Sequence, residues 1–238
     1  MDVIIVPILF VSFFIFGLTG FGSALFSIPL LIPLIGVDAA TTLVAILALV
    51  ARLLMLIRYR DSISFNTVWR LVLASLVAIP VGLKIIEILD NYVILILLGC
   101  VVVGYGIYGL ARPRLPEVKN PNWAFVFGFM SGMLSAAYNI GGPPIVIYAN
   151  LLRWSSSQFK SNLGGAFLLT SIAVVAAHAA NGHVTQAVLQ GTLLALPAAL
   201  GGIFAGWWLE RFINPYTFSK LVLILLIIIG LRLIFENI

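Results

Sequence analysis

The segment Asn139-Ile-Gly-Gly-Pro-Pro-Ile-Val-Ile-Tyr148 stands 119 positions after an earlier segment of similar composition, Gly20-Phe-Gly-Ser-Ala-Leu-Phe-Ser-Ile-Pro29. Both combine glycine and proline with apolar residues, and each is surrounded by the same order of hydrophobic segments. Further correspondences occur at a spacing of 124, where four residues match without a gap: Gly82, Tyr92, Leu97 and Gly106 with Gly206, Tyr216, Leu221 and Gly230. These correspondences predict that the chain consists of two related halves.

The composition is that of a membrane protein. Hydrophobic residues make up 62% of the 238 positions, charged residues make up 9%, and the mean hydropathy is +1.18. So few polar residues cannot cover the surface of a soluble globular protein, and the composition therefore excludes a soluble domain. Long apolar runs such as 92–110 predict helices rather than the alternating strands of a barrel. The net charge of +5 comes mainly from short loops, so it indicates membrane topology and not a nucleic-acid partner.

Polar residues, glycines and prolines divide each half into five hydrophobic segments. The ten segments are 3–18, 22–36, 39–58, 66–86 and 92–111, followed by 123–138, 142–152, 159–180, 184–209 and 216–235. The stretch 112–122 contains three prolines and alternating charges, so it is predicted to be an extended connector. We therefore predict a single membrane domain over 1–238, with one pseudo-repeat at 1–111 and a second at 123–238.

The distribution of lysine and arginine predicts the orientation of the loops, because these residues favour the cytoplasmic side. The corners at 36–38 and 181–183 lack both residue types and are predicted to be external. Both termini are then external, and the odd number of crossings in each half inverts the second half relative to the first, as in many secondary transporters. The cytoplasmic loops are marked by Arg58, Arg60, Arg112, Arg114, Lys119, Arg153, Lys160 and Arg211.

The segments 22–36 and 142–152 are too short to cross a bilayer comfortably. At 1.5 Å per residue they reach roughly 16 to 22 Å, against a hydrocarbon core of about 30 Å. Each is expected to pair with its predecessor as a re-entrant or broken-helix unit. The predicted fold is an all-α polytopic membrane protein with two inverted pseudo-repeats, each a Gly/Pro-broken helix pair followed by three transmembrane helices.

The two glycine-rich turns are candidate anion sites. Around Gly141 and Gly142 the glycines free the backbone and the prolines preset a helix start, so that backbone amides point out of the following helix. Two readings stay open: an anion cradle, or glycines that only allow close helix packing. For the Asn139 side chain, substrate contact and helix capping are both open. The predicted substrate-binding residues near the two turns are Gly20, Gly22, Ser23, Ser27, Tyr138, Asn139, Gly141, Gly142 and Pro143.

Polar residues at the next helix start of each half form a second group of candidates. Thr41 and Thr42, with Ser161 and Asn162, are predicted to line the pathway. The alternative is that these helix starts are ordinary N-caps, formed by Asp38 or by the serines at 155–157. Lys160 is a candidate entrance residue for anions, and otherwise a topology charge. His178 is a candidate proton relay. Arg52 and Arg70 are expected to extend to the cytoplasmic interface. No metal-ligand cluster, catalytic constellation or cofactor motif is predicted, and a nucleotide-binding loop is absent from the sequence.

The motif Asn139-Ile-Gly-Gly-Pro-Pro144, the earlier Gly17-x-x-Gly-Phe-Gly22 and the duplicated layout resemble the TauE/SafE family of sulfite and organosulfonate exporters, the TSUP permeases. The first motif has Gly-Phe-Gly-Ser where the family more usually has a run of glycines. The resemblance implies a multi-pass plasma-membrane carrier that binds a small sulfur-containing or carboxylated anion near the midplane, between the two turns. Protons are a candidate coupling ion, and a passive anion channel and an intramembrane enzyme are the alternatives.

Overall fold

The computed structural model of the chain describes residues 4–59, 65–111, 116–118, 120–154, 156–212 and 215–237. Within these ranges there are ten α-helices and no β-strand. The helices are α1 (Ile5–Thr19), α2 (Ser23–Ile35), α3 (Val37–Tyr59), α4 (Phe65–Ile88), α5 (Asn91–Ala111), α6 (Trp123–Tyr138), α7 (Gly142–Leu151), α8 (Ser156–Ala180), α9 (Gln186–Leu209) and α10 (Pro215–Phe235). Each predicted segment corresponds to one helix, so the all-helical prediction is confirmed. Four of the predicted topology charges lie outside the described residues: Arg60, Arg112, Arg114 and Lys119.

The helices fall into two length classes. Six are long and apolar enough to cross a membrane: α3, α4, α5, α8, α9 and α10. The other four, α1, α2, α6 and α7, contain between 10 and 16 residues. Because a span needs about 20 residues, the described chain has a pair of short helices followed by three potential spans, and this order occurs twice.

Helices α6 and α7 form a hairpin whose two ends lie together. The Tyr148 ring, near the end of α7, packs 5.5 Å from the Phe127 ring, near the start of α6. Beyond the hairpin, the amide of Val118 donates to the carbonyl of Leu151 at 3.1 Å. Arg153 forms an exposed salt bridge with Glu117 at 3.7 Å. The chain therefore returns to the side from which it entered, which is the geometry expected of a re-entrant pair.

Helices α1 and α2 are arranged in the same way. Ile15 of α1 and Phe26 of α2 share a buried cluster close to the turn. At the other end of the pair, Ile5 and Ile35 line one cavity of about 560 Å³. Two internal prolines in α2, Pro29 and Pro33, interrupt its backbone bonding. Ile15 with Phe26, and Ile5 with Ile35, thus place each end of α1 beside an end of α2, as in the α6–α7 pair.

The helices form two compact units, and each unit draws on both halves of the sequence. One unit comprises Met1–Val44, Ile88–Pro113 and Val184–Ile238, and therefore contains α1, α2, α5, α9 and α10. The other comprises Ala45–Glu87 and Arg114–His183, and contains most of α3 together with α4, α6, α7 and α8. Each short hairpin thus packs with helices that are distant in sequence.

Glycines allow two helix pairs to approach closely, one in each unit. In the first, a Cβ on Gly206 of α9 would lie 2.9 Å from the Cα of Gly17 of α1. In the second, a Cβ on Gly82 of α4 would lie 2.9 Å from the Cβ of Ala136 of α6. Gly17 and Ala136 are 119 positions apart, and Gly82 and Gly206 are 124 apart. The residues in these two contacts are therefore separated by the same spacings, 119 and 124, as the sequence correspondences.

Candidate functional site

The turn between α6 and α7 is built on a left-handed residue. Asn139 ends α6 with φ 55° and ψ 22°, a conformation that asparagine tolerates better than most residues with a side chain. Its amide donates to the carbonyl of Ser135 at 2.8 Å, and the amide of Ile140 donates to the carbonyl of Leu134 at 3.1 Å. The first of these is the 5→1 bond of an αL-type C-cap, and the second reaches one carbonyl further back along α6. The backbone of Asn139, rather than its side chain, therefore closes the helix.

Gly141 follows this cap and is held against α6. Its carbonyl accepts a hydrogen bond from Ser131 Oγ at 2.7 Å. A Cβ at Gly141 would overlap Ser135 Oγ and lie 2.8 Å from Ser131 Oγ. The φ of Gly141 is −76°, which any residue can adopt, so glycine is needed here for space and not for backbone freedom. The turn is consequently packed directly on two serine hydroxyls.

Three polar side-chain atoms at this turn have no partner in the described part of the chain. Asn139 is 3% exposed and Ser135 is 1% exposed. Among the described residues, nothing hydrogen-bonds to Asn139 Oδ1, Asn139 Nδ2 or Ser135 Oγ. Each buried unsatisfied group costs about 1–3 kcal/mol. Such a cluster is therefore expected only where a ligand or ordered water completes the bonding.

The start of α7 adds backbone donors to the same turn. No acceptor is found in the described part of the chain for the amides of Gly141 and Gly142. The next two residues, Pro143 and Pro144, have no amide hydrogen and preset the first turn of the helix. The N-terminus of a helix carries roughly half a positive charge. The turn thus presents two amides, an Asn side chain and a hydroxyl, which is a donor set suited to a small oxyanion.

The first turn, between α1 and α2, is more self-contained. Gly20 and Gly22 have φ values of 81° and 94°, so both need glycine for conformational reasons. The Thr19 hydroxyl lies 2.8 Å from the carbonyl of Ile15 and 2.6 Å from that of Phe21. Ser27 donates back to the carbonyl of Ser23 at 2.9 Å. Gly20, Ser23 and Ser27 are buried, whereas Thr19 and Gly22 are half-buried. The hydroxyls of Thr19 and Ser27 are occupied within their own segment.

The sequence over residues 5–233 matches the family described as sulfite exporter TauE/SafE. The chain belongs to this family. Comparison with curated proteins and with solved structures gives no significant match. Membership in TauE/SafE makes the chain a multi-pass membrane transporter of an exporter family, rather than an enzyme, and assigns its substrate at family level to sulfite or related sulfur anions.

The remaining candidates of this TauE/SafE member lie in α3 and α8. Thr41 is buried and donates to the carbonyl of Val37 at 2.7 Å, so its hydroxyl is bonded within its own helix. Thr42 is also buried, and its Oγ1 has no partner among the described residues. Ser161 and Asn162 are both 2% exposed. Tyr138 at the end of α6 is buried as well, whereas the side chain of Lys160 lies outside the described part of the chain.

His178 forms part of a histidine pair near the end of α8. Its Nδ1 lies 3.1 Å from Nδ1 of His183, so one imidazole donates and the other accepts. His178 is 1% exposed, while His183 in the following loop is half-buried. Two imidazoles that share one hydrogen can hold and pass a proton. The pair keeps His178 as a candidate relay and adds His183, which the sequence had only placed in the neighbouring loop.

Sequence patterns missed two residues that the structure draws attention to. Ser135 was one of several serines near the turn, and serines in membrane helices commonly bond to their own helix; within the described chain its hydroxyl instead has no partner. Arg52 was expected to extend to the interface, and that prediction is wrong. It is 7% exposed, and its guanidinium carbon lies 4.9 Å from the centre of the Phe167 ring. The signal in the sequence that could have indicated this burial was the position of Arg52 within an apolar run.

Proposed function

We propose that the chain is a secondary carrier that exports sulfite or a related small sulfur oxyanion, and that the α6–α7 turn contacts the substrate. The observation that carries the proposal is that the side-chain amide of Asn139 and the Oγ of Ser135, both buried at this turn, have no partner among the described residues. A sulfite ion offers several acceptor oxygens, which match the donors of the Asn side chain, the serine hydroxyl and the two glycine amides.

The first turn and the polar residues of α3 and α8 remain proposed contacts along the pathway. For Gly20, Gly22 and Ser23 the support is their place in a second re-entrant-type pair. Thr42 has the same feature as Ser135, a buried hydroxyl without a partner in the described chain. Half-helix ends inside a membrane protein are tolerated where they line a cavity and bind ions.

Flux in proteoliposomes tests the transport activity. Vesicles containing the purified protein would be loaded with sulfite, an organosulfonate or a carboxylate, with and without an imposed pH gradient. Flux that saturates with substrate concentration and prefers the sulfur oxyanions supports the carrier. Flux that does not saturate at any substrate concentration supports the channel alternative. A dependence on the pH gradient that disappears in His178→Gln would support proton coupling through the histidine pair. Absence of sulfite flux in folded, inserted protein would contradict the proposed substrate.

Substitution of Asn139 tests the proposed contact. Asn139→Gly removes the amide and keeps the left-handed backbone, whereas Asn139→Ala adds about 1–2 kcal/mol of backbone strain. A hydrogen bond to a charged group contributes about 1.5–3 kcal/mol, so we expect Asn139→Gly to raise the KM for sulfite roughly 10- to 100-fold. Thermal stability without substrate should be unchanged or higher, since an unsatisfied group is removed.

Asn122→Ala is the matched control for this experiment. Asn122 is exposed at the opposite end of the same helix, where it makes no side-chain capping bond. Its substitution should leave the KM within about twofold of the wild-type value. An unchanged KM in Asn139→Gly would remove the α6–α7 turn from the substrate pathway while leaving sulfite export itself intact.

A further inference from the structure

Arg52 lies in the middle of an antiparallel pair formed by α3 and α8. Ala45 of α3 shares a buried cluster with Val174 of α8. Further along, the Arg52 guanidinium lies over Phe167, and a Cβ on Gly164 would lie 4.0 Å from Met55. As the residue number increases along α3, the residue number of its partner in α8 decreases by the same amount, so the two helices are antiparallel. Arg52 therefore faces a neighbouring helix at a fixed register instead of projecting into surrounding lipid.

The position of Arg52 is deep within the candidate span. It is six residues, or about 9 Å along the axis, from Arg58, the last residue of the span Val37–Arg58. Helical side chains lean toward the N-terminus of their helix, which in α3 is the end away from Arg58. Phe167 is eleven residues, or roughly 16 Å, from the start of α8. Both positions explain why the guanidinium does not extend to the nearby helix end.

No carboxylate in the described chain neutralises this cation. Every described acidic residue lies in the first or last turn of a helix or in a connecting segment: Asp38, Glu87, Asp90, Glu117, Glu210 and Glu236. The only partner of the guanidinium within the described ranges is the Phe167 ring. Because arginine stays protonated even when buried, its charge calls for an anion that the described part of the chain does not supply.

We propose that Arg52 binds the transported anion, and that Phe167 holds the guanidinium in the orientation that receives it. The inference rests on the proposed function and names a further substrate-binding residue for it. An aromatic face attracts the cation but uses none of its strong hydrogen-bonding capacity, so the five N–H donors have no acceptor in the described part of the chain. The planar fork of arginine matches two oxygens of a sulfite or sulfonate group at once. A neutral substrate would leave the charge uncompensated.

Sulfite transport by Arg52→Met and Arg52→Lys tests the assignment. Methionine keeps most of the apolar volume and removes the charge, and we expect sulfite flux to fall at least roughly tenfold or its KM to rise by that factor. Lysine keeps the charge without the fork, so its KM should lie between those of Arg52→Met and the wild type. Arg58→Met is the matched control, because Arg58 is exposed on the same helix, and its KM should stay within about twofold.

A second readout separates binding from a structural contribution. Sulfite should raise the Tm of the wild-type protein in detergent, and this increase should disappear in Arg52→Met, whereas the Tm of the substrate-free variant should not fall. A lower substrate-free Tm with a normal KM would overturn the proposal in favour of a structural cation. If Arg52→Met does not fold, the wild type still gives an answer. Because sulfite also consumes phenylglyoxal by adding to its aldehyde group, the modification of Arg52 is measured relative to that of Arg58 in the same sample. Sulfite should lower this ratio, and an unchanged ratio would overturn the proposal.

These outcomes distinguish the inference from the function on which it rests. If the wild type transports sulfite and Arg52→Met does so with the same KM, only the assignment of Arg52 fails. If the wild type transports no sulfur oxyanion, the proposed function fails. In that case, if sulfite also fails to lower the modification of Arg52 by phenylglyoxal relative to that of Arg58, the assignment of Arg52 fails as well.

Discussion

Individual residues at the α6–α7 turn combine a structural and a functional feature. The backbone of Asn139 closes α6 in a left-handed conformation, and its side-chain amide is left buried without a partner in the described chain. The same cap brings Gly141 onto the hydroxyls of Ser131 and Ser135. Because these residues are adjacent, a substitution that removes a substrate contact must be distinguished from one that disturbs packing.

Gly141→Ala should disturb packing. Its Cβ would overlap Ser135 Oγ and press on Ser131, and overpacking of this kind costs about 1–3 kcal/mol. Thermal unfolding in detergent should show a lower Tm, and Gly141→Ala/Ser135→Ala should recover part of the loss. Gly104→Ala is the control, since no atom lies within 4 Å of the added methyl group. A Tm for Gly141→Ala that equals that of the control would contradict the described packing.

At the scale of helices, small residues permit the two close parallel pairs, α1 with α9 and α4 with α6. The contacts advance in step along both members of each pair: Gly17 near Ile203 and Gly206, and Phe10 near Gly202, in one; Gly128 near Leu71, and Gly132 near Ser75, in the other. Association of helices in lipid depends on packing more than on the hydrophobic effect. A side chain added at one of these glycines should therefore disturb the packing and destabilise the helix pair.

Gly206→Ala and Gly82→Ala should destabilise the protein to a similar degree. The added Cβ of Gly206 would lie 2.5 Å from the carbonyl oxygen of Phe14, and that of Gly82 would overlap the carbonyl oxygen of Met133. Neither backbone can move without separating its helix pair, so we expect a loss of about 1–3 kcal/mol in each case. Unfolding in detergent measures it. Gly201→Ala is the control: its nearest contact, a ring carbon of Phe10, is at 3.6 Å. If Gly206→Ala and Gly201→Ala unfold alike, the close pairing is not required.

At the scale of the molecule, we propose that the order of helices makes the two halves inverted repeats. Support comes from the repeated order of a short pair and three potential spans, and from the corresponding contacts of Gly17 with Gly206 and Ala136 with Gly82. With three crossings in each half, the second half enters from the opposite side. Six crossings in total return the C-terminus to the side of the N-terminus.

Cysteine labelling tests this topology. In a background in which the one native cysteine, Cys100, is replaced by serine, cysteines at Asn181 and Asn237 should react with an impermeant maleimide on intact cells. Cysteines at Arg58, Glu117 and Arg211 should react only after permeabilisation, because the basic loops face the cytoplasm. If Asn237→Cys and Glu117→Cys react from the same side, the parity of crossings is wrong and the inverted arrangement fails.

The sequence by itself determined the ten helices, the membrane location and the family, because apolar runs, glycine and proline punctuation and a family motif are local properties of the chain. It also located Asn139, Gly141 and Gly142. Only the tertiary structure decided that the side chains of Asn139 and Ser135 lack partners among the described residues and that Arg52 is covered by Phe167. It likewise decided that each compact unit mixes helices of both halves. The reason is physical: bonding and burial depend on groups brought together from distant positions, and the one-dimensional pattern that predicts a helix does not specify which helix covers it.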